Sequence, residues 1–177
     1  MRKPQPEEYA QSTYTSRYIA LVNSDDVIAE LGKSMDEVQK LFSSLSDTQL
    51  NFSYAPGKWT LKELLAHMID TERILSYRAL CIARGEKQSL PGFDENEYAE
   101  QAQSSRRSIK DLLREYQLVR EANILMFNSF DEQMLSGVGT ANGKSISARA
   151  LLFIIAGHER HHLSIVKEKY LNSELYR

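Results

Sequence analysis

The chain has 177 residues, with 22 Lys plus Arg against 24 Asp plus Glu, and only one cysteine and four histidines. Near-neutral charge with no long block of one sign offers no electrostatic footprint for nucleic acid or an anionic membrane. No stretch nears the roughly 20 apolar residues that span a bilayer, and Cys81 alone excludes an intrachain disulfide, which points to a reducing cytoplasm.

In chain order, residues 1–23 read as an arm. Pro4 and Pro6 and a polar, tyrosine-rich stretch lead to Tyr18-Ile19-Ala20-Leu21-Val22, an apolar segment expected to pack over one end of the fold. The first eight residues lack the apolar run of a secretory leader. Residues 24–177 are expected to form one domain, a length that buries roughly 70% of its unfolded surface without staples. Ser24-Asp25-Asp26 offers an N-cap and acidic first turn for a helix to about Leu45. Along it Val27, Leu31, Met35, Val38 and Phe42 recur at threes and fours, the pattern of a buried face. Ser46-Asp47-Thr48-Gln49 resembles a short capping box, and Tyr54-Ala55-Pro56-Gly57 breaks the chain.

Thr60-Leu61-Lys62-Glu63 is a full capping box, opening a second long helix that should run to about Arg84 and stop at Gly85. The connection from residue 85 to about 104 is long enough for a crossover, with a short helix expected over Glu95 to Gln101. Ser105 is placed to cap a third long helix carrying Ile109, Leu112, Leu113, Tyr116, Val119, Leu125, Met126 and Phe130. Residues 137–144 read as a loop with an Asn142-Gly143 turn. Ser145 or Ser147 caps the last helix, to about Leu171. No stretch alternates in the manner of a strand. Four long amphipathic helices and one crossover predict an all-α four-helix bundle, a fold that builds metal sites from inward side chains on facing helices.

The chemistry concentrates in His158-Glu159-Arg160-His161-His162, flanked by apolar residues on both sides. On a helix, His158 and His162 stand one turn apart, and Leu151, Ile154, Ile155 and Ile165 fall around the same side. Two imidazoles on a buried face each bring polar nitrogens that need partners. Either they are hydrogen-bonded core residues, or they hold a metal ion, for which neutral imidazole is a good ligand. The fourth histidine, His67, lies on the second long helix, and a three-histidine site requires those two helices to meet. Asp70, one turn beyond His67, reads as either a solvated carboxylate or a group in contact with metal-bound water. Relative to His158, His161 lies about 60° to one side and His162 about 40° to the other, so both can approach a metal that His158 binds. The apolar residues favour His162 as the ligand and put His161 at the rim.

Several motifs together resemble the DinB-like superfamily. They are Ala55-Pro56-Gly57-Lys58-Trp59-Thr60, His67-x-x-Asp70-x-Glu72-Arg73, Leu90-Pro91-Gly92-Phe93-Asp94, Gly139-Thr140-Ala141-Asn142-Gly143 and Gly157-His158-Glu159-Arg160-His161-His162. The likeness spans residues 18 to 170 and is strongest to the branch of metal-dependent hydrolases related to the bacillithiol transferases. It implies an up-down-down-up four-helix bundle, a homodimer, and one divalent metal ion, zinc or nickel, on His67, His158 and His162. It further implies a small-molecule substrate, handled by hydrolysis or by transfer of a low-molecular-weight thiol cosubstrate.

Two other readings compete. His158-Glu159-x-x-His162 satisfies the H-E-x-x-H pattern of zinc peptidases, in which the glutamate is the general base. That pattern takes its third ligand from downstream, and no histidine follows His162. The other reading is a bundle whose metal serves structure or dimerisation without catalysis.

Overall fold

The computed structural model describes residues 1–10, 12–24 and 26–172. Four long helices form the body: α2 (Val27–Ser43), α4 (Leu61–Ala83), α6 (Ile109–Asn128) and α8 (Ala148–Ile165). Shorter helices are α1 (Thr13–Ala20), α3 (Asp47–Leu50), α5 (Glu95–Gln101) and α7 (Glu132–Ser136). Among the described residues, no helix is long and apolar enough to cross a membrane.

Two apolar cores give the helix directions. One gathers Val27 and Leu31 of α2, Leu75 and Ile82 of α4, Phe127 of α6, and Ala148 and residues 150–156 of α8. The other gathers Val38 and Phe42 of α2, Leu61, Leu65 and Ile69 of α4, Leu112 and Tyr116 of α6, and Leu163, Val166 and Tyr170 at the end of α8. Helices α2 and α8 therefore start at the end of the bundle where α4 and α6 finish. The arrangement is up-down-down-up, with the crossover that holds α5 joining the two parallel helices α4 and α6.

Local chemistry sets the boundaries. Thr60 Oγ1 accepts from the Glu63 amide at 3.2 Å, and Glu63 Oε2 accepts from the Thr60 amide at 2.7 Å, so α4 starts where its capping box predicts. Asp26 caps α2 through the Ala29 amide; Asp25, expected to share that turn, lies outside the described residues. Ser46 and Gln49 close the capping box of α3, and α5 spans the residues expected of it.

Four features differ from the sequence expectation. The arm contains α1, capped by Ser12 with Thr15 replying, a box whose second member is a hydroxyl rather than the usual carboxylate. Helix α6 is capped by Ser108, not Ser105: Ser104–Arg106 forms a 3-10 turn and Arg107 is extended. Helix α7 follows directly. Residues 138–147 form a hairpin, β1 (Val138–Ala141) with β2 (Lys144–Ser147), where a loop is expected. Its turn residues Asn142 and Gly143 have φ of 51° and 70°, the two-residue geometry suited to twisted antiparallel strands. Each strand has four residues, too short for alternation to show. Ser147 caps α8, and a π-helical turn, Val166–Tyr170, continues it.

The arm is fastened to the bundle at both ends. Tyr9 bridges to Ile146 beside the hairpin, and buried Glu8 accepts from Arg149 Nη1 at 2.7 Å. Arg160 of α8 donates to the Leu21 carbonyl and pairs with Glu30 of α2. Helix α1 lies directly on α8 at Gly157, where a Cβ would fall 2.0 Å from the Tyr18 carbonyl oxygen. Only glycine permits that approach.

Candidate metal centre

The capping box of α4 fixes the register that turns His67 inward, and antiparallel packing brings it level with the second half of α8. The Nε2 atom of His158 lies 2.9 Å from Nε2 of His67 and 3.0 Å from Nε2 of His162. All three side chains are buried, and their ligand atoms lie within 4.8 Å of one another. Each Nε2 carries either one proton or one lone pair, so that of His158 serves one neighbour well and not both. Ring nitrogens bound tetrahedrally at about 2.0–2.1 Å stand about 3.3 Å apart, close to the spacing here. The donor set fits a single metal ion.

Electrostatics favour the form a ligand needs. Burial pushes the His67 imidazole down to about 4. Burial, with His67, His161 and Arg17 adding, pushes His162 down to about 3. His158 is held well below the ordinary range by burial and then by His162 and His67. At neutral pH the cluster is uncharged, with lone pairs free for a cation.

The neighbouring candidates are placed differently. His161 is half-buried at the rim, held by Arg17 of α1 and packed on Tyr18 at 5.7 Å between ring centroids. Asp70 lies in a groove between α4 and α5 with Arg73, Glu97 and Tyr98; burial raises its carboxyl, and the charges that bear on it are Arg73, Glu115 and Arg107, not the histidines. Glu159 is buried on the far side of His158. Its Oε2 accepts from Tyr116 OH and from Arg120 Nη2, both at 2.6 Å, and its Oε1 from Arg120 Nη1 at 3.2 Å. Arg120 also donates to Glu72 and to the Leu31 carbonyl, and Asn123 donates to Glu72. With both oxygens engaged, Glu159 is not free to act as the base of an H-E-x-x-H site.

Sequence reasoning did not single out the surroundings of the cluster. The Trp59 ring lies 4.6 Å from the His67 ring, and Tyr18 of α1 lies 5.4 Å from His158. A cavity of about 230 Å³ opens beside His162, lined by Tyr54, Lys58, Trp59, Glu95 and Asn96 among others. Trp59 had a signal, as the chain's one tryptophan just before a capping box. Glu95 and Asn96 are exposed crossover residues, where periodicity is silent.

A four-helix bundle with three clustered, buried, neutral histidines is the architecture of a metal-dependent enzyme. The chain belongs to the DinB superfamily, whose family model matches residues 30–166. It is similar to a protein of Oceanobacillus iheyensis whose name proposes a metal-dependent hydrolase, at 26% identity over 127 residues, 71% of this chain and 72% of that one. In fold it is similar to YfiT from Bacillus subtilis, described as a probable metal-dependent hydrolase with an unusual four-helix bundle topology. The TM-score is 0.65 at 20% identity, covering 94% of this chain and 91% of that chain.

Proposed function

We propose that the protein hydrolyses a small-molecule substrate at one divalent ion, zinc or nickel, held by His67, His158 and His162. The observation that carries this reading is the convergence of three buried, neutral Nε2 atoms from two helices. Three protein ligands leave a coordination position for water or substrate, which is the mark of a catalytic rather than a structural ion. When bound, such an ion makes water acidic enough to act as hydroxide near neutral pH and polarises a carbonyl. The chain's own residues hold and screen. Trp59 and Tyr18 pack against His67 and His158, which limits ring rotation and water entry. Glu95 and Asn96 offer hydrogen bonds at the mouth, and the cavity beside His162 suits a small molecule. The names of the similar proteins lend support to hydrolysis.

One observation favours a second reading, transfer of a low-molecular-weight thiol. Glu159 is engaged by Arg120 and Tyr116, and Asp70 lies in another groove, so neither supplies a base for water. A thiol bound at an ion on the three histidines would instead have its pKa lowered, so that its proton is lost to solvent and the thiolate displaces a leaving group from an electrophile without a protein base. Homodimerisation belongs to this proposal too, supported by Leu118 and Leu125, which lie exposed on α6. Light scattering would test it.

The decisive experiment is metal analysis of untagged protein followed by assays with esters, amides and thiol-plus-electrophile pairs. The expected result is about one ion per chain and turnover that is lost with a chelator and restored by metal. Full turnover in metal-free protein would refute the reading, and so would a bundle that binds no divalent ion.

A further inference from the structure

A second cavity, of about 440 Å³, lies along the same side of the bundle and shares Glu95 and Asn96 with the cavity at His162. Its floor is apolar, from Leu75 of α4 and Leu151 and Ile154 of α8. Ile154 precedes His158 by one helical turn, so the floor runs toward the histidine cluster. At its far side stands Arg78, on the face of α4 that carries His67 and about 16 Å further along the axis.

Arg78 is unusual among the buried arginines of this protein. It is only 8% exposed. The other two buried arginines are paired with carboxylates, Arg120 with Glu72 and Glu159, and Arg149 with Glu8 and Glu132. Among the described residues, no carboxylate pairs with Arg78. It donates to the Pro91 carbonyl and lies 5.8 Å from the centre of the Phe93 ring, neither of which neutralises it. Burial lowers its proton affinity, and the groups that act on it besides are the Tyr14 and Tyr98 hydroxyls. A guanidinium kept from water beside an open, apolar-floored cavity is costly unless an anion joins it. Nearby Asp94 caps α5 through Oδ1, which accepts from the Asn96 and Glu97 amides, and makes no ion pair with Arg78. Glu95 stands at the junction of the two cavities.

We propose that this cavity is a binding site for a carboxylate on an apolar chain, with the carboxylate on Arg78 and the chain over Leu75, Leu151 and Ile154. Resting on the proposed function, it makes the substrate an elongated carboxylic acid whose reacting group reaches the histidines while its acid end is held at Arg78. A planar guanidinium fork matches carboxylate geometry, which the compact ammonium of lysine does not.

The test compares octanoate with its uncharged analogue octanamide on metal-free protein, by calorimetry and by NMR shifts of the Leu75, Leu151 and Ile154 methyl groups. Octanoate should bind about tenfold tighter than octanamide, as expected for a charge-assisted hydrogen bond at a desolvated site. Its shifts should fall on those three residues. Arg78→Gln should abolish the difference, and Arg78→Lys should keep only part of it. Equal affinities in the wild-type protein would overturn the proposal, whether or not the variants fold. So would an octanoate preference that survives in Arg78→Gln. The binding measurement involves no metal, so a failure of metal-dependent hydrolysis bears on the histidine reading alone.

Discussion

Freed of metal, the histidine cluster should make stability fall steeply as pH drops from about 7 to 5. In an unfolded chain each imidazole takes up a proton near pH 6.5. In the fold, burial holds His67 down to about 4 and His162 down to about 3, with His158 also held low. Below pH 6.5 the unfolded state therefore binds more protons than the native one. The stabilisation is complete above that pH and is lost as pH falls toward the folded values. At about pH 5 each of the three costs roughly 2 kcal/mol, or about 6 kcal/mol together. A whole domain is stable by on the order of 5–15 kcal/mol, so metal-free protein should be marginal there. Half-exposed His161 acts weakly in the same direction, whereas Asp70, raised by burial, acts oppositely. Urea unfolding followed by circular dichroism, in chelator at a series of pH values, should give a slope approaching about 4 kcal/mol per pH unit near pH 5. His67→Asn should remove about a third of it. Stability flat to within about 1 kcal/mol between pH 8 and 5 would refute the reasoning.

Three further outcomes follow from the same geometry. His67→Ala and His162→Ala should each lose metal affinity sharply by calorimetry while helicity persists, and His161→Ala should largely keep it; the reverse order of the last two would sink the assignment. Arg120→Met should cost about 3–5 kcal/mol in urea unfolding, because it strands Glu72 and Glu159, and adding Glu72→Gln and Glu159→Gln should recover much of that. Gly157→Ala should cost about 1–3 kcal/mol, because α1 must lift from α8, and no measurable loss would show that α1 is not packed there.

Most of the candidate site could be read before any coordinates. His158 and His162 share one helix, where spacing alone gives their relation, and the capping box of α4 sets the phase of His67. Capping boxes located α3 and α4, and the length of the crossover pointed to α5. What escaped notice involved signals that are short or unusual. A Thr at the third position of the α1 cap does not mark a helix as a glutamate does. Four-residue strands carry too little alternation to register. Arg120 sits in the stripe Leu113, Tyr116, Asn123 and Phe127, where a cation is read as surface until its two carboxylates are found on other helices. Such long-range pairing is absent from any local pattern.

The bundle places its polar groups where the two apolar cores meet, and this arrangement has a cost. Replacing a buried ion network by well-packed apolar side chains is often neutral or stabilising, so stability alone does not account for Arg120 and its partners. Their position is more informative. Glu159 follows His158 directly in sequence and faces away from it into the network. A narrow cavity lined by Thr71, Glu72, Arg120, His158 and Glu159 joins the two sets of groups. Two carboxylates share one guanidinium there, leaving one formal negative charge beside three histidines that are themselves uncharged. A low-dielectric interior penalises that excess, and a cation among the histidines would offset it. The same excess lowers the stability of the metal-free fold and favours the loaded one. Neutralising Glu159 by Glu159→Gln should therefore weaken metal binding even though that side chain touches no ligand position.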